Sequence, residues 1–178
     1  MEGRMSIGSI WLGGCSGCHM SFLDLDERLF QLLERADIVF SPLSDRRELP
    51  DALDVLLVEG AVALSGQAEL LRDLRSRTRT VVAFGDCAVV GNVTAMRNHL
   101  DLTSMLRHTY GAEGARMGHD PAHHLPAMLD EVLPLHRVID IDIFLPGCPP
   151  PADLIWYTVH ELLEGRHPVI DEKRLRYG

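Results

Sequence analysis

Continuous apolar runs alternate with amphipathic helical patterns along this chain of 178 residues. The runs DVLLVEG (54–60) and TVVAFGDCA (80–88) lack polar alternation, which is typical of strands buried on both faces of a sheet. A helical pattern, GQAELLRDLRSRT (66–78), lies between them. Because strands that alternate with helices form parallel sheets, the sequence predicts an α/β fold with an open, mostly parallel sheet and helices on both faces.

Further elements extend this alternation towards both ends of the chain. We predict strands and helices at the following positions: strands 6–14, 37–42 and 138–151, and helices 21–36 and 152–165. Ser21 and Asp24 resemble a capping box at the start of the helix over 21–36. The stretch between 92 and 137 is harder to interpret, with helical patches over 99–108 and 125–133.

Length and charge restrict the class of protein. One domain over residues 1–178 is the natural prediction for this length. The formal net charge of −9 argues against nucleic acid as a partner, because nucleic-acid binding needs clustered Lys and Arg. No apolar run reaches the roughly 18 residues that span a bilayer, and the first residues do not resemble a signal peptide. We therefore predict a cytoplasmic protein with no membrane partner.

All four cysteines follow predicted strands. Cys15 and Cys18 follow the first strand as a Cys-x-x-Cys pair, Cys87 follows a middle strand, and Cys148 follows the last one. Since the carboxyl ends of parallel strands share one edge of the sheet, we expect these thiols to converge there. In a reducing cytoplasm, metal binding or redox chemistry explains them better than disulfides do.

Three kinds of site use such cysteines. Structural zinc usually takes two closely spaced ligand pairs, whereas here one pair is joined by two isolated cysteines. A thioredoxin-like dithiol fits the Cys-x-x-Cys pair but leaves Cys87 and Cys148 unexplained. A 4Fe-4S cluster needs four thiolates, and the glycines near each cysteine, together with Pro149 after Cys148, favour it. The residues therefore favour a cluster, with zinc and the dithiol as open alternatives.

Four segments in this order resemble the small subunit of NiFe hydrogenases over essentially the whole chain: CSGCHMSFLD, VEGAV, GDCA and PGCPPP. The sequence is most similar to the short small subunit of cytoplasmic, NAD-reducing hydrogenases. This resemblance implies a flavodoxin-like fold and one proximal 4Fe-4S cluster held by Cys15, Cys18, Cys87 and Cys148. It further implies a nickel–iron centre in a partner large subunit, and diaphorase subunits with iron–sulfur clusters and flavin that reduce NAD⁺.

Two comparisons within this resemblance matter. Longer hydrogenase small subunits carry a further cysteine-rich portion and an export signal, and this sequence has neither, so we expect one cluster and a cytoplasmic location. The cluster-bearing subunit of respiratory complex I shares the GCPP element and the fold, but it has adjacent cysteines near the first strand. The spaced pair of Cys15 and Cys18 favours hydrogenase, and a complex I-like quinone reductase subunit is the alternative.

Other polar residues near the predicted sheet edge have weaker assignments. Glu59 ends a buried strand, where it either relays protons, contacts the large subunit or, as we favour, is a simple strand-end polar group. His19 either donates to a cluster sulfide or faces the partner, and Asp86 is interpreted as a turn residue. The histidines of GHDPAHH (118–124) are interpreted as a surface loop. FMN is compatible with a flavodoxin-like sheet, but no separate phosphate-binding loop supports it.

Overall fold

The structure, a computed structural model, describes residues 3–45, 48–117, 126–171 and 175, without the side chains of 113–117. In chain order the helices and strands are β1 (Met5–Trp11), α1 (Gly17–Leu23), α2 (Arg28–Arg35), β2 (Ala36–Phe40), β3 (Leu53–Glu59), β4 (Val62–Leu64), α3 (Ser65–Ser76), β5 (Thr78–Phe84), α4 (Asp86–Val90), α5 (Asn92–Ala95), α6 (Leu102–Met117), β6 (Met128–Leu133), β7 (Ile143–Leu145) and α7 (Ala152–Leu163). Short 3₁₀ helices cover Met96–His99 and Leu135–Arg137. Of the helices described, none combines the length and apolar character needed to cross a membrane.

The central sheet has five parallel strands in the order β2-β1-β3-β5-β7. Counting only these strands along the chain gives the order 2-1-3-4-5, which is that of flavodoxin-like folds. The order reverses between β1 and β3, where the crevice of such a sheet opens for a ligand. The predicted flavodoxin-like α/β fold is confirmed.

Helices cover both faces of this sheet. On β3, Val55 and Leu57 pack towards α1, α2 and α7, whereas Leu56 and Val58 pack towards α3 and α4. These four side chains are at most 3% exposed. Burial on both faces is the physical reason that this strand is a continuous apolar run in the sequence.

The helix predicted over 21–36 is wrong in its extent, because the chain forms two helices there. Asp26, between α1 and α2, has a φ of +51°, a conformation that breaks a right-handed helix. The capping box is also wrong: α1 begins at Gly17, so Ser21 lies inside it and its hydroxyl donates to the Pro150 carbonyl at 2.6 Å.

A second correction concerns the helical patch predicted over 125–133. Residues Met128–Leu133 form β6, which pairs antiparallel with β4. Asn98 fixes this strand from the side, since its amide donates to the Val132 carbonyl at 2.9 Å and accepts from the Val132 N–H at 2.8 Å. Tertiary pairing therefore overrides the local helical pattern. The strand predicted over 138–151 is also shorter, because only Ile143–Leu145 joins the sheet.

We expect Leu71→Ala to lower the free energy of unfolding of the full chain by roughly 2–5 kcal/mol, because a fully buried leucine leaves a cavity. Leu71 is 0% exposed beneath β3 and β5, whereas Leu100 is 59% exposed and Leu100→Ala serves as the matched control. Urea titration measures both. Equal losses in the two variants would contradict the packing described above.

Candidate functional site

The four cysteines lie beyond the carboxyl ends of three strands of the sheet. Cys15 and Cys18 follow β1, Cys87 lies in α4 after β5, and Cys148 follows β7. Cys18 is buried and Cys87 half-buried, whereas Cys15 and Cys148 are exposed. Cys15, Cys87 and Cys148 lie near enough to Cys18 for the charge of each thiolate to raise the pKa of Cys18. The structure thus brings together residues separated by long stretches of sequence.

Burial and neighbouring charges disfavour the thiolate form at two of these positions. Burial, followed by the Glu59 carboxylate and then the other three thiols, raises the pKa of Cys18. Burial, followed by Cys148 and Cys15, raises the pKa of Cys87, and hydrogen bonding to Thr94 opposes this shift. A group that binds these sulfurs as thiolates must therefore displace their protons.

A glycine backbone makes room for the buried sulfur. Gly85 has a φ of +86°, and a Cβ built on it would overlap the Cys18 sulfur. A Cβ on Gly17 would lie 3.2 Å from the Cys15 sulfur. At Gly85 the backbone approaches the sulfur more closely than a side chain would allow, which is a recognised use of glycine, whereas the contact at Gly17 is only tight.

Asp86 joins the loop of Cys87 to the loop of Cys148. Its backbone N–H donates to the Gly147 carbonyl at 2.9 Å, and its carboxylate accepts from the Gly147 N–H at 2.7 Å. The hydrogen bond from Ser21 to Pro150 joins the Cys148 loop to α1. Asp86 is therefore not only the turn residue that the sequence predicts, because it also links two cysteine-bearing loops. Its position directly before Cys87, like that of Gly147 directly before Cys148, is the sequence signal for this role.

Glu59, at the end of β3, is a carboxylate only 2% exposed. One of its oxygens accepts from the Cys18 N–H at 3.3 Å. The other accepts from the His19 N–H at 3.0 Å and contacts Nδ1 of the same residue. The Cys-x-x-Cys segment is thus attached to the neighbouring strand through Glu59.

His19 is 3% exposed and both of its ring nitrogens are engaged. Nδ1 contacts Glu59, and Nε2 lies 3.1 Å from the Ser9 hydroxyl, which lies 3.0 Å from the Ser41 hydroxyl. Both roles predicted for His19 are therefore wrong, because its ring nitrogens contact Glu59 and Ser9 and the side chain is buried. No local sequence pattern predicts the contacts of His19 with Ser9 and of Ser9 with Ser41, because each serine lies in a segment without a recognisable motif.

Large apolar side chains are exposed on the segments that carry or adjoin the cysteines. They lie on β1, on α1 and along α4, α5 and the following 3₁₀ helix, and we call them the apolar rim: Trp11, Met20, Val90, Val93 and Met96. Each of them is between 48% and 68% exposed, so these apolar side chains are available for contact with another protein.

No three His, Cys, Asp or Glu side chains within the described ranges are grouped as ligands of one metal ion. Thiols that each bind a different iron of a polynuclear cluster do not need to meet around a single point. The histidine segment 118–124 lies outside the described residues.

Comparison with known proteins gives matches over most of the chain. The family model described as NADH ubiquinone oxidoreductase, 20 Kd subunit, matches residues 15–162. The delta subunit of the NAD-reducing hydrogenase HoxS from Cupriavidus necator is 36% identical over 170 residues, which cover 93% of this chain and 81% of that subunit. A subunit of the F420-non-reducing hydrogenase from Methanothermobacter thermautotrophicus is 36% identical over 185 residues. That match covers 98% of this chain but only 58% of the archaeal protein, so the chain spans less than two thirds of this relative.

Solved structures of hydrogenases are also similar. A chain of an NAD⁺-reducing NiFe hydrogenase in the H₂-reduced state superposes with a TM-score of 0.89 and 38% identity, covering 99% of this chain and 100% of that one. A chain of the NiFeSe hydrogenase from Desulfovibrio vulgaris Hildenborough gives a TM-score of 0.63 at 18% identity, over 91% of this chain and 60% of that one. This second likeness is one of fold alone.

Gly85→Ala should push the Cys18 sulfur out of position, because its new Cβ would occupy the place of that atom. We expect a loss of roughly 1–3 kcal/mol in the free energy of unfolding, from overpacking and from the positive φ. Gly66→Ala is the matched control, since a Cβ added there, at the start of α3, would meet nothing within 4 Å. Urea titration of both variants checks this, and an unaffected Gly85→Ala would contradict the close approach.

In the metal-free chain, we expect Cys15 and Cys148 to be alkylated before Cys18. The thiolate is the nucleophile, and a raised pKa lowers its fraction at Cys18, which is also buried. Iodoacetamide at mildly alkaline pH followed by peptide mass spectrometry gives the order, and the urea-unfolded chain, in which all sites react alike, is the control. Cys18 reacting first would contradict its burial.

Proposed function

This chain belongs to the family of the NADH ubiquinone oxidoreductase 20 Kd subunit and is a relative of hydrogenase delta subunits, and from this we propose that it is the electron-transfer small subunit of an NAD-reducing NiFe hydrogenase. The observation that carries the proposal is the similarity over 99% of the chain to a subunit of an enzyme of that description. In this proposal the complex catalyses H₂ + NAD⁺ = NADH + H⁺, with the nickel–iron centre in a partner large subunit.

Cys15, Cys18, Cys87 and Cys148 are the residues that would hold one 4Fe-4S cluster. Four thiolates are the donor set of such a cluster, and the close glycine backbone at Gly85 suits a bulky group beside the sulfurs. The pattern of one Cys-x-x-Cys pair and two isolated cysteines supports this over the zinc alternative, because structural zinc usually takes two closely spaced ligand pairs. When bound, such a cluster takes up and releases one electron at a time.

The chain's own residues prepare this site. Asp86 and Ser21 link the three cysteine-bearing loops, so that the sulfurs are held near one another before any group binds. Cys18 and Cys87, whose pKa values are raised, give up their protons on binding iron. The loop geometry thus offsets part of the entropy that ordering four distant thiols would cost.

The apolar rim, which lies on segments that carry or adjoin Cys15, Cys18 and Cys87, is the surface that we assign to the large subunit. Its exposed side chains, together with two exposed thiols, suit an interface that excludes water from the site. NAD⁺ accepts a hydride, which carries two electrons, so a flavin is needed between a one-electron carrier and NAD⁺. We therefore propose iron–sulfur and flavin diaphorase subunits as further partners, and, with NAD⁺ as acceptor, a cytoplasmic complex.

A complex I-like electron-transfer subunit is the second candidate, because the description of the matching family names NADH ubiquinone oxidoreductase. The Cys-x-x-Cys spacing of Cys15 and Cys18 favours the hydrogenase instead. Relatives with 36% identity over most of the chain are likewise hydrogenase subunits.

Cys87→Ala should lose bound iron and hydrogen-dependent NAD⁺ reduction together, because one of four thiolate ligands is removed. Iron and sulfide content, and a visible absorption that dithionite bleaches, are measured on the anaerobically purified complex, with Ser76→Ala, exposed on α3, as control. Full iron and sulfide in Cys87→Ala would exclude the ligand role. A colourless wild-type preparation would exclude the cluster altogether.

A further inference from the structure

The N-terminus of α1 is capped by Glu59, the last residue of strand β3. The first N–H groups of a helix lack partners within it and are normally satisfied by the side chain of the N-cap residue. The N-cap here, Ser16, has a left-handed φ of 65° and makes no cap hydrogen bond. Its hydroxyl donates to the Cys15 carbonyl at 2.6 Å instead. Glu59 takes its place by accepting from the N–H groups of Cys18 and His19.

Three donors converge on the two oxygens of this carboxylate: the backbone N–H groups of Cys18 and His19, and the ring of His19. A carboxylate is an acceptor at both oxygens, whereas a glutamine side chain has one acceptor oxygen and an amide that only donates. A glutamine at position 59 therefore leaves at least one of these buried donors unsatisfied. The contacts are specific for an acid at this position.

A buried polar chain holds the carboxylate in place. His19, Ser9 and Ser41 continue from Glu59 towards the end of β2, the edge strand, and each is at most 7% exposed. Ser41 also accepts from the Leu43 N–H at 3.2 Å, which attaches the chain to the loop after β2. The position of Glu59 is thus determined by residues of β1, α1 and the β2 loop.

We propose that Glu59 is a positioning residue that fixes the Cys-x-x-Cys segment and, through its charge, lowers the reduction potential of the redox group that the four thiols hold. His19, Ser9 and Ser41 position Glu59. The second part rests on the proposed function. A negative charge in a buried setting disfavours the addition of an electron nearby, and Glu59 directly contacts the backbone of the ligand residue Cys18. This role differs from the proton relay considered from the sequence, because both oxygens are occupied by N–H groups of α1.

The test compares Glu59→Gln, Glu59→Asp and Glu69→Gln, the last being an exposed carboxylate on α3 that serves as control. Hydrogen exchange by mass spectrometry on the iron-free full chain reports the N–H groups of Cys18 and His19. We expect Glu59→Gln to exchange there about tenfold faster or more, since hydrogen bonds to a charged group are lost. Glu59→Asp, which is one methylene shorter, should also exchange faster, and Glu69→Gln should match the wild type.

Redox titration followed by electron paramagnetic resonance on the purified complex provides the second readout. We expect a higher midpoint potential in Glu59→Gln and a value nearer the wild type in Glu59→Asp, which keeps the charge. Unchanged exchange at Cys18 and His19 in both Glu59 variants would overturn the positioning role, even if Glu59→Gln held no iron. An unchanged potential in iron-loaded Glu59→Gln would overturn the effect of its charge. A wild type without iron would refute the proposed function instead, while the exchange result would still decide the positioning role.

Discussion

Parallel pairing of β1, β3, β5 and β7 is the constraint on which the site depends. It directs the carboxyl ends of these strands to one edge, so cysteines that follow three of them meet although long stretches of chain separate them. The buried side chains of β3 and β5, packed on both faces, stabilise this arrangement. The chemistry at the edge therefore exists only in the folded chain.

Polar contacts refine what the sheet makes possible. Asp86 and Gly147 bind each other between two cysteine-bearing loops, and Glu59 binds the first turn of α1. These groups are buried or half-buried, and every one has a hydrogen-bond partner, as buried polar groups require. Within the described residues no buried side-chain nitrogen or oxygen lacks such a partner. The site is thus held by a network rather than by any single loop.

The sequence predicts the sheet and the position of the cysteines well, because continuous apolar runs and their following residues are local signals. It does not predict the break at Asp26, where the apolar spacing continues across the turn as Leu25 and Leu32 pack into the same core. The sequence also does not predict strand β6, because its pairing with β4 is a long-range contact. The roles predicted for His19 are wrong for the same reason, because its partners Glu59 and Ser9 lie on strands and no local pattern encodes these contacts.

The uneven exposure of the thiols has a consequence for the isolated subunit. Cys18 is enclosed by protein, but Cys15 and Cys148 face solvent. Dissolved oxygen and other oxidants therefore have direct access to one side of any group bound there, and exposed thiolates are the ones that oxidise first. In the proposed complex, a subunit docked over that side would shield the bound group, so a cluster loaded before docking would be more exposed to air than one loaded afterwards.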